Sequence, residues 1–75
     1  MKMEDFMNEI IFYVEEDIEV GYTAKAINYS IFTEGDSIEE LKSNILDAID
    51  CHFDNLSKPK MVRLHFVHQE LLEVV

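Results

Sequence analysis

A single stretch of this chain carries the spacing of a long helix, and that limits everything around it. In Gly35-Asp36-Ser37-Ile38-Glu39-Glu40, the residues Ser37 and Glu40 have the S-x-x-E spacing of a capping box, in which each side chain satisfies a backbone N–H that the first helical turn leaves unpaired. Beyond this cap, Ile38, Leu41, Ile45, Ala48, Ile49, His52, Phe53 and Leu56 recur at intervals of mostly three or four. Glu40, Ser43, Asp47, Asp50 and Asp54 fall on the opposite side, so the helix is amphipathic and packs by one stripe. Pro59 forbids its continuation, and Ser57 to Lys60 connects it to the last apolar segment. One helix covers one side of a sheet, which leaves the other side to water or to a partner.

The remaining segments read as strands. Asn8 to Glu15 holds the β-rich run Ile10, Ile11, Phe12, Tyr13 and Val14, too short for a helix and apolar on both faces. Glu16 to Gly21 is an acidic loop whose glycine suits a hairpin return. Tyr22 to Ile27 is a second strand, with Ala24 and Ala26 on one face and Thr23 and Lys25 on the other. Asn28-Tyr29-Ser30 bends the chain into a short third strand, Ile31 to Glu34. Met61 to Val67 alternates Val62, Leu64 and Phe66 against Arg63, His65 and Val67, a fourth strand. Gln69 to Val75 is compatible with a frayed end, a helical turn or an edge strand, and residues 1–7 read as a flexible N-terminal segment before one domain over 8–75.

The expected fold is therefore α+β, in the order β-β-β-α-β: a four-stranded, mainly antiparallel sheet with the helix on one face. With Ile10, Phe12 and Val14 toward the helix, the open face receives Glu9, Ile11, Tyr13, Glu15, Thr23, Lys25, Ile27, Arg63, His65 and Val67. A solvated antiparallel face is more uniformly polar than this, whereas interfaces favour Tyr and Arg among apolar neighbours. Ile11, Tyr13, Lys25, Ile27, Arg63, His65 and Val67 are the candidate interface.

A chain of 75 residues has room for one small core, and such domains gain stability from disulfides, a metal or a partner. Cys51 is the only cysteine, so no internal disulfide forms and a reducing, cytoplasmic setting is expected. No run approaches the ~20 apolar residues of a membrane span. These considerations point to self-association, as a dimer or higher, through the open face.

The net charge is −10, which opposes unaided binding to nucleic acid. The acids concentrate before Gly21 and along the helix, while the segment after Leu56 carries Lys58, Lys60 and Arg63 against Glu70 and Glu73. Carboxylates near a sheet suggest a metal-dependent nuclease, but Glu9 and Glu15 lie at the ends of an apolar strand and Asp47, Asp50 and Asp54 on the solvated side of the helix. His65 and His68 are directed to opposite faces of a strand, so they do not jointly clamp a zinc. His52 lies on the apolar stripe and reads as a packed histidine, and Cys51 turns toward the polar side without a base fixed beside it. The two glycines, Gly21 and Gly35, both suit turns, so there is no phosphate-binding loop. No catalytic residue, cofactor or metal site is assigned.

The run from Gly21 to Leu41 is Gly-Tyr-Thr-Ala-Lys-Ala, an aromatic at Tyr29, then Ser-Ile-Phe-Thr-Glu-Gly-Asp-Ser-Ile-Glu-Glu-Leu. It resembles the HicB-like antitoxin family, over about Asn8 to Phe53, with the segment from Thr33 to Glu40 similar to that family's Gly-Asp-Thr/Ser and Glu-Glu start of the helix. The resemblance implies a partial RNase H-like fold without its catalytic carboxylates, and inhibition of a basic, HicA-like mRNA-cleaving toxin by direct contact. These 75 residues lack the helix-turn-helix or ribbon-helix-helix module of longer relatives, so binding to promoter DNA by the chain alone is not expected. Asn28-Tyr29-Ser30 also stands where the family often has a proline-glycine bend. The competing reading is a stand-alone homo-oligomeric regulatory or ligand-binding domain with no toxin, and the metal-dependent nuclease is a third.

Overall fold

A computed structural model describes residues 8–68 and 70–75; the N-terminal segment 1–7, expected to be flexible, lies outside the described residues. The elements run β1 (Glu9–Asp17), β2 (Gly21–Ala26), β3 (Phe32–Gly35), α1 (Ile38–His52) and β4 (Met61–Val67), an α+β fold in the anticipated order. The strands form one mixed sheet in the order β3-β2-β1-β4. β1 and β2 are antiparallel, as are β2 and β3, while β4 lies parallel to β1. A parallel neighbour needs a crossover, and α1 with the segment after it supplies one between β3 and β4.

Polar side chains set the turns. Asp17 Oδ1 accepts hydrogen bonds from the N–H groups of Glu19 and Val20 at 2.8 and 3.3 Å, and Gly21 leaves the turn at φ 93°. β1 therefore continues through Glu16 and Asp17, which pair with Tyr22 and Gly21, where the acidic run reads as loop. Cross-strand pairing outweighs the low strand propensity of these two acids. Asn28 takes φ 69° in the next bend, a conformation that Asn tolerates. That bend is closed by the Ala26 N–H donating to Ile31 O at 3.0 Å, while the Ile27 N–H bonds Ile11 O at 2.9 Å. These bonds place Ile27 and Ile31 just outside β2 and β3.

α1 begins as its cap requires. Ser37 is extended, and its Oγ accepts the Glu40 N–H at 3.1 Å; among the described residues the Glu40 carboxylate makes no return bond. The helix ends at His52, four residues short of Leu56. Asp54 Oδ1 gathers the N–H groups of Leu56 and Ser57 and the Ser57 hydroxyl at 2.8–3.0 Å, so a turn replaces the last helical turn before Pro59. Leu56, expected in the apolar stripe, is accordingly 98% exposed. His52, expected to be packed, is exposed as well, and its ring meets Tyr29 and Phe53 edge-on at 6.1 and 4.9 Å.

The core is Ile10, Phe12, Val14, Ala24, Ala26, Ile31, Leu41, Ile45 and Ile49, with Tyr22, Ala48, Phe53, Val62 and Leu64 packed against it. The helix backbone lies nearest β3 and β2, while Val62 and Leu64 of β4 pack against the edge of the core it covers. Two features allow the close approach to β3. Gly35 brings the chain so near α1 that a Cβ there would stand 2.6 Å from the Leu41 nitrogen, and Asn44 Nδ2 donates to Glu34 O at 2.7 Å.

Candidate functional site: the open sheet face

Because side chains alternate along a strand, the core positions of β1 fix what stands behind them. The pairing of the strands then assembles rows across the sheet. Phe32 of β3 is opposite Lys25 of β2, Lys25 opposite Tyr13 of β1, and Tyr13 opposite His65 of β4. With neighbouring strands about 4.8 Å apart, this row crosses the whole sheet. On one side of it lie Ile27, Ile11 and Arg63; on the other lie Glu34, Thr23, Glu15 and Val67. The structure thus brings Ile11, Tyr13, Lys25, Ile27, Arg63, His65 and Val67 onto one face. Ser37 and Glu40 are at the helix start, away from it.

Three contacts order the surface. The Tyr13 and His65 rings meet edge-to-face with centroids 5.3 Å apart, an arrangement that suits the aromatic quadrupole. Arg63 grips Glu9 with both ends of its guanidinium fork, Nε donating to Oε1 and a terminal nitrogen to Oε2 at 3.1 Å. The hydrogen bond from Arg63 holds the Glu9 carboxyl below its ordinary value, opposed by partial burial and reinforced by the nearby charge. The same hydrogen bond raises the Arg63 guanidinium. Such a planar pair also fixes the Arg63 stem along β4, so its charge stands at a defined place.

Phe32, Glu34 and Met61 share this face and were missed in the sequence. β3 is four residues long, too short for alternation to show its orientation. The available signal was indirect: Lys25 faces outward, so its cross-strand neighbour does too.

At one end of the face the charge changes. Glu15, Glu16, Asp17 and Asp36, with Tyr22 and His68, line a shallow cleft of about 560 Å³. Elsewhere, Asp50 is bonded to Lys58 at 2.6 Å and Asp54 is engaged in its turn, so two acids of the outer helix side serve local structure. Among the described residues, no three His, Cys, Asp or Glu side chains converge as metal ligands would. Cys51 is a free, exposed thiol. No helix among the described residues is long and apolar enough to cross a membrane.

No family model matches the chain, and no solved structure matches it. Two curated proteins do. A UPF0150 protein of Archaeoglobus fulgidus is 50% identical over 52 residues, which cover 69% of this chain and 77% of that protein. A UPF0150 protein of Thermotoga maritima is 46% identical over 66 residues, covering 88% of this chain and 93% of that one. Identity of 46% across 88% of this chain and 93% of the Thermotoga protein is shared ancestry, and the chain belongs to the UPF0150 family.

Proposed function

We propose that this protein is a binding module that holds a basic protein partner against the open sheet face, and that the partner is a HicA-like ribonuclease toxin which it inhibits by contact. The observation that carries the reading is the row Phe32, Lys25, Tyr13 and His65. Aromatic side chains with an anchored arginine beside them, here Arg63 held by Glu9, are the composition of an interface centre, and here they lie on the side of the sheet opposite the helix. The acids at the end of the face and the net charge of −10 supply long-range attraction for a basic partner. The toxin itself is named on the resemblance of the segment from Gly21 to Leu41 to HicB-like antitoxins.

Co-expression with a HicA-like toxin tests this. The pair is expected to co-purify, RNA cleavage by the partner to be suppressed, and the association rate to fall as salt shortens the Debye length from about 10 Å at 0.1 M to 3 Å at 1 M. Tyr13→Glu is expected to weaken the complex at least tenfold, and Asp47→Lys on the outer helix side to change it much less. An unrelieved toxin, or a Tyr13→Glu variant that binds as wild type, would reject the reading.

A further inference from the structure

The open face is not the only unfinished surface. β4 is a sheet edge, seven residues long, with one row of backbone donors and acceptors facing outward. Val62, Leu64 and Phe66 point to the helix side, yet the α1 backbone lies nearest β3 and β2; Val62 and Leu64 are only half-buried and Phe66 is 55% exposed. Between them and the helix runs an apolar groove of about 250 Å³ lined by Lys42, Ile45, Leu46, Val62 and Leu64. A long, apolar, uncovered edge is a template for another strand.

The same chain carries a segment that fits it. After β4, residues 70–75 form no regular structure, and Leu71, Leu72, Val74 and Val75 are 100, 85, 93 and 121% exposed. Folding back onto its own β4 would need a tight turn at His68 and Gln69, which lacks the Gly, Asn or Asp that such hairpins use.

We infer that two copies of this chain pair β4 against the C-terminal segment reciprocally, each segment 70–75 adding a strand to the β4 edge of the other. An antiparallel pairing about a two-fold axis needs residue numbers that sum to a constant. If the axis passes through His68, Leu64 meets Leu72 of the second copy, Val62 meets Val74, and Arg63 meets Glu73. With the axis one residue further along the chain, Phe66 meets Leu72, Leu64 meets Val74, and His65 meets Glu73. In both registers Leu72 and Val74 enter the groove, and Glu73 stands opposite a basic side chain on the other face. The first register also sets Phe66 opposite Glu70, whereas the second joins Phe66 and Leu64 to apolar partners and sets Glu73 and Glu70 opposite His65 and His68, so the second is the better match to a closed, isologous contact.

The area is sufficient. Leu46, Met61, Phe66, Leu71, Leu72, Val74 and Val75 are all more than half exposed. At the ~60–120 Å² per side chain that ordinary burial energies correspond to, they contribute on the order of 600 Å² per copy. Strand pairing and flanking residues bring this toward the ~800 Å² per partner of a standard stable interface.

The full chain, examined by light scattering on a sizing column at high micromolar concentration, is expected to be dimeric. Leu72→Asp with Val74→Asp is expected to raise the dimer Kd at least tenfold. In a Cys51→Ser background, Glu73→Cys combined with Arg63→Cys or with His65→Cys is expected to give a disulfide-linked dimer on oxidation, since paired strands bring Cα atoms within the ~4.4–6.8 Å that a disulfide spans. A wild-type monomer overturns the proposal. So does a dimer that survives Leu72→Asp with Val74→Asp, or one that fails to cross-link in both combinations. Neither arm involves the toxin, so the dimer and the partner reading fail separately.

Discussion

The two edges of the sheet are built in opposite ways. β3 is four residues long, with the helix laid over it, Gly35 pressed beneath Leu41, and Asn44 bonded to its backbone. β4 is nearly twice as long, lies farther from the helix backbone, and leaves Phe66 and Met61 more than half exposed. Short, covered edges resist further pairing and long, bare ones invite it. A helix placed off-centre thus gives the sheet one finished edge and one unfinished edge.

The largest expected effect tests that division directly. Leu41→Ala, at a fully buried position over β2 and β3, is expected to cost about 2–5 kcal/mol in urea unfolding, whereas Leu46→Ala, on the flank toward β4, stays within about 1 kcal/mol. Equal losses would erase the asymmetry. Next comes Gly35→Ala. Its Cβ would meet the Leu41 nitrogen at 2.6 Å and Cα at 2.9 Å, both backbone atoms, so the helix must lift; a loss of about 1–3 kcal/mol is expected. Retained stability would mean that the helix is not seated tightly on β3.

The smallest effect belongs to the β4 side and appears only in acid. Glu9 is held below its ordinary value of 4.5 by Arg63. A carboxyl depressed on folding stabilises the native state above 4.5, and that contribution is lost as pH falls through the depressed value. Glu9→Gln should flatten this part of the stability profile and change little at neutral pH, as expected for an exposed pair. Asp54 acts with the same sign, its carboxyl lowered chiefly by the Ser57 backbone N–H and then by the Ser57 hydroxyl. A Glu9→Gln profile that matches wild type would therefore assign the acid dependence to the Asp54 turn rather than to the β1–β4 pair.

How much of this was legible in the sequence differed by element for physical reasons. β4 was read to the residue, because Pro59 and the alternation from Val62 to Phe66 are both local. The Ser37 cap was equally plain. The helix end was not: Leu56 continues the apolar spacing, and only the structure shows Asp54 drawing the next N–H groups into a turn. The open face followed from having one helix and one alternating first strand, whereas the exposure of Phe66 did not. Periodicity tells which side of a helix is buried but not which strands lie under it. Phe32 escaped because its facing is set by a partner on another strand, and a sequence read one segment at a time contains no register.

The parallel pairing of β4 with β1 also orders events in time. β1, β2, β3 and α1 can form from neighbours in sequence, through two turns and a cap. The contacts of β4 close a far longer loop, with Arg63 reaching Glu9 across 54 residues. Loop closure over such a span is entropically slow, so β4 should dock late, after the helix has formed. Until then the folding chain exposes the β1 edge with Ile10, Phe12 and Val14 behind it. The acids Glu15, Glu16 and Asp17 at the end of that strand would act as gatekeepers against aggregation during this interval, which gives the acidic turn a kinetic role distinct from any partner it meets.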